Sequence, residues 1–143
     1  KADAALALWR TNIPGYLAGA DDLRQGVPPY MIANCYFGPD HRNNAYQMEF
    51  TWITGSLAWL NTIPIRDMLG VKAGYGGLEI DPRIPSEWDE VMVERTFRGA
   101  VYRIRISKRT ERMTVDGKAI DGNRLPVFGD GQVHIVEVPL RLN

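Results

Sequence analysis

Residues 91–107, VMVERTFRGAVYRIRIS, decide the fold of this chain. In their second half apolar and charged side chains alternate, with Ile104 and Ile106 on one face and Arg103 and Arg105 on the other. A period of two is typical of an antiparallel strand with one buried face. The dipeptide Arg98-Gly99 is typical of a tight turn, so the stretch predicts a β-hairpin.

The strand-like character continues on both sides of this hairpin. Further β-like segments cover residues 77–82, 111–116 and 132–142, and Asp116-Gly117 and Gly129-Asp130-Gly131 are typical of turns. Because hardly any helical pattern interrupts them, these segments predict a small antiparallel β-sandwich over residues 71–143.

The first half of the chain has a helical pattern instead. Residues 1–11 are rich in alanine and leucine, and residues 52–69 are apolar around much of a helical circumference. Pro64 is expected to kink the second helix, and Gly70 is expected to cap it. The chain is therefore mixed α and β by segment, with residues 1–70 as a domain separate from the strands.

Composition argues against several classes of partner. Seventeen basic residues balance seventeen acidic ones among 143, whereas nucleic-acid and anionic-membrane surfaces need a basic excess. The apolar runs are too short to span a bilayer. Cys35 is the only cysteine, so we expect no disulfide within the chain, no zinc site of paired cysteines and a reducing, cytoplasmic location. The first residues, from Lys1, look like the interior of a helix, which suggests a piece of a longer polypeptide.

Thr54 and Gly55 form the first candidate site. They stand where the second helix is expected to begin, and there free backbone N–H groups and the helix dipole favour an anion such as phosphate. Gly55 has no side chain to hold an anion away from the backbone. The pair also fits an ordinary helix start with Thr54 as the cap, and from the residues alone this is the more common case.

Polar and aromatic residues ahead of this helix supply the other candidates. Asp40 and His41, on a loop with proline and glycine, suit either acid–base chemistry or a surface turn. Glu49 suits either a sugar hydroxyl or the helix dipole. Tyr30 and Asn34 suit a sugar site or a protein core. The sequence contains no Ser-His-Asp order, P-loop, dinucleotide fingerprint or histidine-rich metal motif.

Two features of the strand region have structural interpretations. His134 lies in a terminal strand pattern and is expected to be a structural or exposed strand residue. The basic residues along the strands are expected to form a solvated face, in keeping with the zero net charge. They are Arg103, Arg105, Lys108, Arg109 and Arg112.

Short motifs between Pro28 and about Ile106 resemble glycoside hydrolase family 94, the cellobiose phosphorylase-like glycoside phosphorylases. Their order and spacing together make the resemblance specific, and they match the C-terminal end of family members. In chain order they are Pro29-Tyr30, Gly38-Pro39-Asp40-His41, Trp52-Ile53-Thr54-Gly55, Ala58-Trp59, Leu69-Gly70-Val71, Gly77-Leu78-Glu79-Ile80-Asp81-Pro82, Ile84-Pro85, Trp88 and Phe97-Arg98-Gly99-Ala100.

The resemblance implies a fold and an activity. Residues 1–70 are expected to be the final helices of an (α/α)6 barrel, and residues 71–143 the C-terminal β-domain. Family members cleave a β-glucosidic bond with inorganic phosphate and inversion, giving α-glucose 1-phosphate and a released sugar. Their general acid is an aspartate upstream of this stretch, so no catalytic residue is assigned here and the chain alone is expected to be inactive. Phosphate is a co-substrate, and no cofactor or metal is implied.

The resemblance also assigns site residues and partners. The family's Thr-Gly pair in the phosphate cradle corresponds to Thr54 and Gly55, and the sugar-binding candidates are Tyr30, Asn34, Asp40, His41 and Glu49. Cellobiose phosphorylases tend to have glutamine at the position of Asn34, so the β-linked acceptor sugar stays open between cellobiose, cellobionic acid and others. The expected partners are the rest of a longer polypeptide and a second copy in a homodimer. Rival interpretations are a carbohydrate-binding or structural β-sandwich module, a chitobiose phosphorylase module and a cyclic β-1,2-glucan synthase module.

Overall fold

The computed structural model describes residues 1–11, 35–45, 47–49 and 54–140. The chain divides into two compact units, which consist essentially of Asp3–Thr62 and Ile63–Asn143. The assignment of the first part to a barrel and of the second to a separate domain stays a prediction.

The first unit contains the predicted helices and a short ribbon. Helix α1 is Ala2–Thr11, and helix α2 is Thr54–Thr62. Strands β1, Cys35–Tyr36, and β2, Met48–Glu49, pair antiparallel. In α1 an acidic residue in the first turn and a basic residue in the last complement the helix dipole. Among the described residues, no helix is both long and apolar enough to cross a membrane.

Pro64 explains how the second helix ends. The sequence pattern predicts one kinked helix over 52–69, but α2 stops at Thr62 and the next six residues, Ile63–Met68, form a π-helical turn. Proline has no N–H, so the α-helical bond from Pro64 to the carbonyl of Leu60 cannot form. The indole N–H of Trp9 donates to that carbonyl instead, at 3.0 Å. The amide of Leu69 reaches five residues back to Pro64 at 2.7 Å, which is the π-helical spacing.

The second unit consists mainly of strands. A hairpin of β3 and β4 precedes a five-stranded sheet with the order β5-β6-β9-β7-β8. The strands are β3 Val71–Gly74, β4 Gly77–Ile80, β5 Glu90–Phe97, β6 Ala100–Ser107, β7 Thr114–Val115, β8 Lys118–Ala119 and β9 Val133–Pro139.

The predicted tight turns are confirmed by their backbone angles. Arg98 and Gly99 have φ values of 47° and 80°, and Asp116 and Gly117 have 49° and 77°. Two successive residues with positive φ are what a two-residue hairpin turn between right-twisted strands requires. These turns join β5 to β6 and β7 to β8.

The sheet is mixed, whereas the sequence predicts an antiparallel one. Strand β9 runs parallel to β6, with Val101 opposite Val133 and Ser107 opposite Pro139. Residues 108–132, which include β7 and β8, carry the chain from the end of β6 back to the level of its beginning, so β9 runs in the same direction as β6. A long connection permits this pairing, whereas a tight turn would have produced an antiparallel neighbour.

One apolar core joins the hairpin to the sheet. Tyr102, Ile104 and Ile106 of β6 are fully buried, as the alternation predicts. They share a core cluster with Leu78 and Ile80 of β4, so the hairpin covers the inner face of the sheet. This arrangement is consistent with a small sandwich.

The outer face of the sheet carries the predicted solvated charges. Arg103 binds Glu94 at 2.9 Å, and Arg105 binds Glu90 at 2.6 Å, in both cases across the β5–β6 pair. The hydrogen bond from Arg105 holds the pKa of Glu90 below its usual value. Because these cations already have carboxylate partners, this face is a poor anion site.

Candidate functional site

The start of α2 is the centre of the candidate phosphate site. The described part of this helix runs from Thr54 to Thr62, within the range 52–69 that the sequence predicts as helical. The first amides of an α-helix have no partner within the helix, and their dipoles add to a partial positive charge. We therefore expect the backbone at Thr54 and Gly55 to offer donors to an anion, and this stays a prediction. The side chain of Thr54 lies outside the described part of the structure.

Gly55 is a glycine that the described packing does not require. A Cβ placed on it meets no atom of the described residues within 4 Å, and its backbone does not have the positive φ that favours glycine. A glycine that relieves no described clash fits a position where a ligand approaches the backbone closely.

Asp40 and His41 lie on the loop between β1 and β2. The amide of His41 donates to the carbonyl of Gly38 at 3.2 Å, and both side chains are exposed. The amide of Asn44 donates to Nδ1 of His41 at 3.1 Å. Nδ1 is therefore an acceptor, and the neutral ring carries its proton on Nε2.

The imidazole ring of His41 is also fixed by packing. It lies tilted against Phe37, with ring centroids 4.5 Å apart. A ring held by Phe37 and by the amide of Asn44 presents Nε2–H as a hydrogen-bond donor. Within the described loop, the hydrogen bonds of His41 run to backbone groups and not to the carboxylate of Asp40.

Glu49 lies at the base of the same ribbon. It is half-buried in β2, opposite Cys35 in β1. The structure thus brings Asp40, His41 and Glu49 onto one ribbon within the first unit. Tyr30 and Asn34 are outside the described residues, so their proposed sugar contacts stay predictions.

Sequence reasoning missed the polar cluster around His134. Its side chain is buried, with 7% of its surface exposed, and each ring nitrogen lies within hydrogen-bond distance of an aspartate. The aspartates are Asp116 and Asp130, both from segments that the sequence predicts as turns. The turn motifs were visible signals, but nothing local indicates that both turns meet at one histidine.

Comparison with known proteins shows that the strand region is similar to a defined domain family. The Glycosyl hydrolase family 65, C-terminal domain, matches residues 73–136. This range begins in β3 and ends within β9, so it covers the hairpin and nearly all of the five-stranded sheet.

Curated relatives match far more of the chain. Solabiose phosphorylase from Paenibacillus borealis is 37% identical over 98% of the chain and 19% of its own length. A 3-O-beta-D-glucopyranosyl-beta-D-glucuronide phosphorylase from the same organism is 36% identical over 82% of the chain and 16% of its length. The N,N'-diacetylchitobiose phosphorylase of Vibrio proteolyticus is 34% identical over 78% and 14%.

The chain spans less than a fifth of the length of these relatives. All three are disaccharide phosphorylases, which is the type of enzyme that the family 94 motifs imply. The recognition made from those motifs is therefore confirmed, and the chain belongs with the cellobiose phosphorylase-like glycoside phosphorylases as a C-terminal segment.

Proposed function

We propose that this chain is part of an inverting disaccharide phosphorylase that cleaves a β-glucosidic bond with inorganic phosphate. A phosphate oxygen bonds to the anomeric carbon as the bond to the departing sugar oxygen breaks. The products are α-glucose 1-phosphate and the free acceptor sugar. The observation that supports the proposal is the 37% identity to solabiose phosphorylase over 98% of the chain. The helix described from Thr54, with no described atom within 4 Å of a Cβ placed on Gly55, is compatible with it.

The reaction fits a site that is mainly an anion cradle. In an inverting hydrolase one carboxyl group protonates the leaving oxygen and a second activates water. Phosphate is already a nucleophile, so only the acid is needed, and we place that acid in a part of the parent enzyme outside this chain. The hydroxyl of Thr54 and the amide of Gly55 would hold phosphate beside the anomeric carbon.

The β1–β2 ribbon is the proposed acceptor-sugar wall. Asp40 and Glu49 supply carboxylate acceptors for sugar hydroxyls, and Nε2–H of His41 supplies a donor. We add Tyr30 and Asn34 as further sugar contacts. The relatives are named for different disaccharides, so acceptor choice is expected to vary on this wall. We propose a cellobiose or cellobionic acid type of substrate for this chain.

The remaining proposals concern the parent protein. It would be a homodimer in the cytoplasm that uses phosphate as a co-substrate and needs no cofactor or metal. The test is an assay of the parent against a panel of β-linked disaccharides, with and without phosphate, following α-glucose 1-phosphate. Product that forms only with phosphate supports a phosphorylase. Sugar binding without phosphate-dependent cleavage would favour a carbohydrate-binding module instead.

Replacing Thr54 with valine in the parent enzyme tests the cradle directly. Valine keeps the shape of threonine but lacks the hydroxyl, so one hydrogen bond to phosphate is lost. A hydrogen bond to a charged group contributes about 1.5–3 kcal/mol, so kcat/KM for phosphate should fall roughly ten- to a hundredfold. The dissociation constant of the disaccharide should change little.

Thr62→Val is the matched control for this substitution. Thr62 ends the same helix, is exposed, and donates its hydroxyl to the carbonyl of Ala58 at 2.8 Å. Its replacement is the same chemical change at the other end of α2, and phosphate kinetics should stay at the parental value. Equal phosphate kinetics in the parent and in both variants would remove Thr54 from the cradle.

A further inference from the structure

His134 in β9 lies between two carboxylates from two separate turns. Nδ1 is 2.8 Å from Oδ2 of Asp116, in the turn between β7 and β8. Nε2 is 3.2 Å from Oδ1 of Asp130, in the glycine-flanked segment before β9. Each of the two turns therefore places a carboxylate against the same side chain of the sheet, that of His134.

The two contacts require a proton on each ring nitrogen. An ionised carboxylate accepts hydrogen bonds and does not donate them, and neutral imidazole has one N–H and one bare nitrogen. Only the imidazolium form of His134 can donate to both Asp116 and Asp130. Removal of one proton leaves a nitrogen lone pair facing a carboxylate oxygen, which is repulsive.

The surrounding aromatic rings favour the same cation. The ring of Phe128 stacks on His134, with centroids 3.6 Å apart and planes 13° from parallel, and Tyr102 of β6 lies 5.9 Å away. An aromatic face attracts a cation. The hydroxyl of Tyr102 donates to the carbonyl of Pro126 at 2.7 Å, so β6 holds the other end of the loop that carries Phe128.

The carboxylates have little freedom to move away from the ring. Asp116 accepts the amide of Ile135 at 2.8 Å, and its own amide donates to the carbonyl of Ile135. Asp130 accepts the amide of Gln132 at 3.0 Å. The turn with Asp116 is further tied by ladder pairs between β7 and β9. The segment with Asp130 is therefore the one that can move away from the ring.

We propose that His134 is a proton-dependent latch that fastens the segment Gly129-Asp130-Gly131 to the sheet while its ring carries two protons. When one proton leaves, the remaining proton stays on Nδ1, because the contact with Asp116 is the shorter one. The bare Nε2 then faces Asp130, and this segment is released. The amide of Gly131 keeps its hydrogen bond to the carbonyl of Gly99, at 2.7 Å, so the release is confined to Gly129 and Asp130.

The direction of the pH dependence follows from the charges around the ring. The hydrogen bond to Asp116 raises the pKa of His134, burial opposes this, and Asp130 raises it further. The titratable groups next to the ring are the two aspartates and the phenol of Tyr102. The stabilisation is complete below the unfolded histidine value of about 6.5, and it is lost as the pH rises through the folded pKa.

At low pH, protonation of the two carboxylates opens the latch. The hydrogen bond from His134 lowers the pKa of Asp116, and the amide of Gln132 followed by His134 lowers that of Asp130. Their contribution is present above the unfolded aspartate value of about 3.9, and it is lost as the pH falls through the folded values. The latch is therefore closed at intermediate pH and open at both extremes.

A pH titration of the imidazole ¹⁵N signals in the full chain tests the latch. The sequence has two histidines, and a His41→Gln variant assigns the signal of His134. At intermediate pH both ring nitrogens of His134 should be protonated, and at higher pH the Nδ1–H tautomer should form. Over the same range, the exchange protection of the Gln132 amide, corrected for intrinsic rate, should fall roughly three- to tenfold, the scale of one hydrogen bond. The amide of Asp81, bonded to Gly70, should keep its protection.

Three matched carboxylate-to-amide variants separate the latch from a general charge effect. Asp116→Asn and Asp130→Asn should each lower the pH at which His134 titrates, Asp116→Asn by more. Asp121→Asn removes the same charge at an exposed turn and should leave the titration unchanged. The proposal would be overturned if His134 were neutral at intermediate pH or formed the Nε2–H tautomer at higher pH. It would also be overturned if the exchange protection of the Gln132 amide did not change as His134 titrates.

Discussion

Replacing Gly70 with alanine should lower the free energy of unfolding of the second unit by about 2–5 kcal/mol. Gly70 follows the π-helical turn with a φ of 67°, a conformation that strains an L-residue. A Cβ at this position would also collide with the backbone carbonyl of Asp81, whose amide donates to the carbonyl of Gly70 at 3.0 Å. The obstacle is backbone rather than a flexible side chain, so β3 or the segment after β4 would have to move.

Gly122→Ala isolates the contribution of that collision. Gly122 has a similar φ of 78°, but a Cβ there meets nothing within 4 Å. Its replacement should therefore show only the backbone strain, about 1–2 kcal/mol. The measurement is hydrogen exchange of the slowest β6 amides, which reports opening of the second unit. Equal losses in the two variants would mean that the contact with Asp81 contributes nothing.

Gly70 also illustrates how far the sequence predicts this fold. Its role as a helix cap follows from local pattern, as do the strands on either side of Arg98-Gly99 and the turn at Asp116-Gly117. Each of these features depends on residues adjacent in the chain. The approach of Asp81 to Gly70 depends on where the β3–β4 hairpin folds back, and no local sequence pattern predicts this contact.

The pairing of β9 escaped prediction for the same reason. Alternation in residues 132–142 identifies a strand and its buried face, but it does not indicate whether the strand runs parallel or antiparallel to its neighbour. A two-residue turn dictates an antiparallel neighbour, whereas the connection over residues 108–132 leaves the direction open. Pro64 is an intermediate case: a break in the helix was predictable from its missing N–H, but not that the chain would continue as a π-helical turn.

In the functional-site candidates, too, local features were predictable from the sequence and contacts between distant residues were not. The helix that contains Thr54 and Gly55 was predictable, because an apolar helical pattern covers these residues. The tautomer of His41 follows from its bond with Asn44, which only the folded loop provides. His134 meets carboxylates 18 and 4 residues away, and that meeting depends on sheet order, not on any motif.

Truncating Ile104 to alanine should destabilise the second unit by about 2–5 kcal/mol. Ile104 is fully buried on β6, opposite Val93 of β5 and Val136 of β9. Its removal takes away buried methyl groups and leaves a cavity at the centre of the core. Close-packed neighbours on a hydrogen-bonded sheet can collapse only partly, so both losses contribute.

Ile135→Ala is the same change on the opposite face of the same sheet. Ile135 lies next to Val136 on β9 but is 43% exposed, so its truncation creates no cavity and should lower stability by less than about 1 kcal/mol. Both variants keep their backbone hydrogen bonds, and the difference between them measures burial alone. Exchange of the slowest β6 amides again gives the free energies. Comparable losses would show that β-propensity, and not the core beneath β6, determines the stability of this sheet.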